Sequence, residues 1–174
     1  MKLKDYIICL IFFTMSSTIF SQTLIAVSLP VVTLLDVEPA GTFTLNFTAP
    51  TEAGQALTVP AANTTKWVNY TSAIASGGLT RRVTASINQL IPGVNISIQA
   101  AAASGAGGGT LGTSSGLVTL STTAATIITG IGGAYTGTGA NNGHRLTISL
   151  AVSTYANLSA RTNTPVVITY TITE

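Results

Sequence analysis

A chain of 174 residues with a formal net charge of +2 has room for one hydrophobic core. Charged residues make up 7% of it and hydrophobic residues 46%, where soluble domains average about 25% charged, so Thr, Ser, Asn and Gly must supply the surface polarity. There is neither a basic stripe to neutralise phosphates nor an acidic block to gather cations, which sets nucleic acid aside as a partner.

The first segment reads as a secretory signal peptide over residues 1–21. Lys2 and Lys4 precede an apolar run from Tyr6 to Phe13, and small polar residues follow from Thr14. A membrane-spanning helix needs about 20 apolar residues; this run is shorter, so no membrane span is expected once the leader is removed. The single cysteine, Cys9, lies inside the leader. Residues 22–174 are therefore expected to form one exported domain, held by hydrophobic burial without disulfides. The expected location is the cell surface, outer-membrane associated or extracellular.

Period-two alternation then recurs along the chain. Ile25, Val27 and Leu29 open it. Terminal strands ordinarily dock within their own domain, but residues 22–30 are also suited to self-association by strand addition to another copy. Phe43, Leu45 and Phe47 alternate with Thr42, Thr44, Asn46 and Thr48. "KWVNY" (Lys66–Tyr70) places Trp67 and Asn69 on one face and Val68 and Tyr70 on the other. In "TRRV", Arg81 and Arg82 point to opposite faces and read as surface charges near a strand end. Val83, Ala85 and Ile87 form the next row, and Val94, Ile96 and Ile98 the one after. "ASGAGGGTLGTSSG" (Ala103–Gly116) lacks apolar bulk and reads as a mobile loop, while Ser121–Gly133 carries cap-like Ser and Thr before Ala124 and Ala125 and predicts a short helical turn. "NNG" before His144 predicts a hairpin tip with a solvated histidine. Leu146, Ile148, Leu150 and Val152 alternate again. In the closing "PVVITYTITE", Ile168, Tyr170 and Ile172 should enter the core and Thr169, Thr171 and Thr173 should face outward.

Half-polar strands need a second layer. The expected fold is all-β, an immunoglobulin-like two-sheet antiparallel sandwich of about nine strands.

The chemical inventory is sparse. Asp36, Glu38, Glu52 and Glu174 are the acids after the leader and His144 the one imidazole. No opposed carboxylate pair, nucleophile elbow or phosphate cradle is evident. No catalytic, cofactor-binding or metal site is expected, and the chain is not expected to be an enzyme. The ligand-binding candidates are aromatic: Trp67, Tyr70 and Tyr135 offer flat faces to a surface glycan, although core anchoring is the ordinary role of such rings in β-sheets.

An export leader, the opening "IAVSLPVVTLLDVEPAG", few charges, Thr- and Ala-rich alternation and the closing "VITYTITE" together resemble subunits of bacterial surface fibres of the fimbrial or spore-coat-U type. The chain has no cysteine pair, and Tyr170 lies further in than a penultimate position. The resemblance implies an immunoglobulin-like sandwich in the cell envelope and assembly by strand donation. Two functions are thus expected: an exported structural or adhesive surface protein, or a secreted carbohydrate- or ligand-binding module.

Overall fold

The computed structural model describes residues 22–174, and the leader reading for 1–21 lies outside them. Nine strands follow in chain order: β1 Val32–Glu38, β2 Asn63–Ala73, β3 Arg81–Ile87, β4 Val94–Ser104, β5 Gly108–Ser114, β6 Leu117–Thr119, β7 Ala125–Tyr135, β8 Gly143–Val152 and β9 Ile168–Thr173. They form one antiparallel sheet. The protein is all-β, and the helical element among the described residues is a single 3-10 turn at Tyr155–Asn157.

The registers resolve most of the sheet into four long lines. β2 pairs with β8 between Asn63 and Val68 and with β7 at Thr71 and Ser72. β3 then takes over along β7 from Arg81. So β2 and β3 follow one edge of β8 and β7 as a single interrupted line. On the opposite edge, β4 runs along β8 and β5 continues along β7. β1 flanks β2 and β9 flanks β3, with Val32 opposite Ala73 and Thr173 opposite Arg82. The end of β9 therefore meets the start of β1 head to tail.

The lines break at two staggered levels: 136–142 and 105–107 lie opposite residues 69–70 of β2, while 74–80 and the gap between Thr173 and Val32 lie opposite residues 132–133 of β7. The breaks divide the sheet into a half with β1, β2, β8, β4 and β6 and a half with β9, β3, β7 and β5. One core cluster draws on both, with Val68, Ile98, Leu146 and Ile148 from the first and Val83, Ala85, Ile127, Ile128 and Ile131 from the second. The segment after β6 ties the two together: the Leu120 amide donates to Ile96 O, and the Ile87 amide donates to Ser121 O.

Several expectations from the sequence are met. The rows Val83/Ala85/Ile87 and Ile96/Ile98 are buried. In β9, Ile168, Tyr170 and Ile172 pack against the core while the three threonines are exposed. Phe43 and Leu45 also pack on it, but their segment is paired only through the bridge between Thr48 and Thr58.

Four expectations are corrected. Ser121–Gly133 is not helical; most of it is β7. Ile127, Ile128 and Ile131 are β-branched and fully buried, which suits a pleated strand. A register shift beside Val83 lets consecutive isoleucines both face inward. The glycine-rich tract is strand β5 rather than a mobile loop. Its glycines allow close approach to β7: a Cβ on Gly112 would sit 2.6 Å from Thr129 O, and one on Gly109 would collide with Gly133 O. "NNG" does not turn a hairpin. It ends an excursion over 136–142, after which β8 resumes in the direction of β7 along the same edge of β2. Finally, residues 22–31 do not pair as a strand within the domain; no strand or bridge includes them.

Candidate functional site

The first candidate site is that unpaired arm. Residues 22–31 belong to no helix, strand or bridge and are exposed throughout. Leu24 is 96% exposed, Ile25 76%, Val27 78% and Leu29 86%. In an extended conformation continuing the parity of Leu35 and Val37, the core-facing residues of β1, the odd-numbered side chains Ile25, Val27, Leu29 and Val31 would form one apolar row. Single exposed apolar residues are ordinary; four at alternate positions of one segment make the arm a candidate surface.

The arm leaves the domain at the junction of β9 and β1, which is held by one buried cation. Arg81 is 3% exposed. Its Nη1 donates to Val32 O at 2.5 Å and to Ser72 Oγ at 3.0 Å, and its Nη2 lies 3.7 Å from Glu174 Oε1. Glu174 is exposed, so that ion pair contributes little; the buried oxygens do most of the holding. Beside the junction, β9 pairs with β3 alone and β1 with β2 alone. The outer edges of both strands therefore carry unpaired backbone groups, which are templates for another strand.

The structure does not gather the three aromatic candidates. Trp67 is partly exposed on the outward face of β2. Tyr70 faces the opposite way and is buried, with its hydroxyl donating to Leu111 O. Tyr135 is 56% exposed beside Thr71, and its ring covers Gly108, where an added Cβ would lie 3.2 Å from the ring edge. Trp67 and Thr71 are four residues apart on one strand, about 13 Å.

The residue most misjudged from sequence is His144. It is wholly buried on β8 and its ring stacks on Tyr70, with centroids 5.8 Å apart and planes at 22°. Nδ1 is hydrogen-bonded to Ala101 O at 2.8 Å. Nε2 lies 2.9 Å from the Tyr70 hydroxyl and 3.1 Å from Leu111 O. Burial raises the Tyr70 phenol above its ordinary range. No carboxylate enters this network, and the ring is sealed from solvent. Its chemistry is to tie β2, β8, β4 and β5 together at the break.

A third buried polar group, Lys66, donates from Nζ to Pro39 O at 2.5 Å and Gly41 O at 2.8 Å. Lys66, Arg81 and His144 all share the parity of the apolar residues that follow them, and that was the available signal for their burial. Among the described residues no group of three His, Cys, Asp or Glu side chains could hold a metal ion, and no helix is long and apolar enough to cross a membrane.

Comparison with known proteins finds no matching family model, curated protein or solved structure.

Proposed function

We propose that the protein is an exported structural or adhesive component of a bacterial surface, which self-associates when residues 22–30 of one copy add as a strand to another. The observation that carries this reading is the arm: an exposed segment of alternating apolar residues that pairs with no strand of its own domain. Strand addition satisfies both the arm's backbone groups and those of an open sheet edge, and the alternate side chains supply specificity. The scarcity of charge favours side-by-side packing, since few ions must be stripped of water at a contact.

In this reading the two halves of the sheet face each other as an immunoglobulin-like two-layer sandwich. Support comes from the interruption of all four lines near the middle of the sheet and from the single core cluster fed by both halves.

Electron microscopy and light scattering of residues 22–174 and 31–174 test the proposal. Filaments or discrete oligomers formed only by the longer chain support it. Monomers of both at all concentrations contradict it.

A further inference from the structure

Half of the acidic side chains in residues 22–174 lie on one small surface, beside the protein's single tryptophan. Register places Glu38 of β1 directly across from Trp67 of β2, and Trp67 directly across from Arg145 of β8. Directly opposed residues in antiparallel strands project to the same face. The result is a row, Glu38–Trp67–Arg145, whose outer members are two strand spacings apart, about 9.6 Å. Asp36 is exposed on the same face, two residues back along β1 and opposite Asn69.

The charged groups of this row are not used internally. The single ion pair within 4.0 Å among the described residues is that of Arg81 with Glu174, and neither Glu38 nor Arg145 makes a side-chain hydrogen bond there. Trp67 stands between them and keeps them from pairing. Further along the same face of β2, Asn69 is buried, donating from Nδ2 to Asn142 O at 2.6 Å while its Oδ1 has no partner. In a chain that is 7% charged, an aromatic platform flanked by an acceptor and a planar donor is a concentrated set of recognition groups.

We infer that Glu38, Trp67 and Arg145 form a binding site for a neutral hexopyranose within a glycan. The apolar C–H face of a sugar ring lies on the indole, which presents a negative π face to those polarised hydrogens. The carboxylate of Glu38 accepts from hydroxyls at one rim of the ring, and the guanidinium of Arg145 donates to oxygens at the other. Asp36, Glu38 and Arg145 sum to one negative charge, so a sulfated or uronic sugar is disfavoured and a neutral one is accepted. Of the three aromatic rings proposed from sequence, only Trp67 belongs to this site: Tyr70 is in the core, and Tyr135 lies beyond the reach of a single sugar. The inference does not depend on the arm.

The test uses the intrinsic emission of Trp67, which reports on its own surroundings without a label. Residues 22–174 are titrated with neutral oligosaccharides of gluco, manno and galacto configuration. A saturable change with at least one of them is expected. Glu38→Gln and Arg145→Gln should each weaken binding about tenfold, the loss of one charge-assisted hydrogen bond. Because both side chains point outward, the fold is left intact. Trp67→Phe should keep a weaker affinity by calorimetry and Trp67→Ala should lose it, while residues 32–174 bind as well as 22–174. No response to any oligosaccharide overturns the inference, as does a response that Glu38→Gln and Arg145→Gln leave unchanged.

Discussion

Two segments of this chain carry nearly the same pattern and meet different fates. The arm presents Ile25, Val27, Leu29 and Val31; strand β9 presents Ile168, Tyr170 and Ile172. By composition and alternation either is a good edge strand. Yet β9 packs its apolar row against the core, whereas the arm exposes most of its own. Register explains the difference. Continued straight from Val32, the arm would run along the edge of β3, where β9 already lies. One slot has two candidate strands, and the one left over has its apolar row available to another molecule.

The comparison can be broken first at β9. Tyr170→Ala removes a large ring from the docked strand and should cost about 3 kcal/mol in urea unfolding, while Val27→Ala in the arm should stay within about 0.5 kcal/mol. Equal effects would mean that the arm is docked after all. Next comes the junction. Arg81→Met keeps the bulk but leaves Val32 O without its buried donor, for an expected loss of about 2 kcal/mol; amide exchange should quicken at the ends of β1 and β9 ahead of the centre of β8.

A smaller effect concerns alkaline pH. Burial raises the phenols of Tyr70 and Tyr170 above the ordinary tyrosine value. A pKa higher in the folded state means that, above the unfolded value of about 10, the unfolded chain binds fewer protons, so stability falls as pH rises. Below that value these groups contribute no slope. Tyr70→Phe should cost about 1 kcal/mol at neutral pH through its lost hydrogen bonds and should flatten the alkaline decline, as measured by denaturant midpoints between pH 8 and pH 11. An unchanged alkaline slope would show that the hydroxyl is not buried as described. The smallest effect on folding is expected for Val27→Asp, which should leave the unfolding midpoint in place while abolishing concentration-dependent association in sedimentation velocity.

How much of this could be read from the sequence depends on whether a feature is local. Strand parity is local, and the rows of β3, β4, β8 and β9 were legible from every second residue. The same parity held for the buried polar groups: Lys66 is in phase with Val68, Arg81 with Val83, and His144 with Leu146 and Ile148. Reading charge as exposure hid Arg81 and His144, because at a strand end a long or planar polar side chain can face inward and still reach backbone oxygens. The glycine tract misled for a related reason. Poverty in side chains signalled mobility, whereas in β5 it permits close contact with β7.

Features that depend on register were not legible. The head-to-tail meeting of β9 and β1, the straight passage from β7 to β8, and the row Glu38–Trp67–Arg145 each join residues far apart in the chain. No periodicity within a segment specifies which strands will lie side by side.

Amide hydrogen exchange across the arm at rising protein concentration tests the central claim most directly. If residues 24–31 are a strand awaiting a second copy, their amides should exchange at free-chain rates when dilute and become protected when concentrated, except at Pro30, which has no N–H. Uniformly fast exchange at every concentration, or protection already complete in the monomer, would contradict the account.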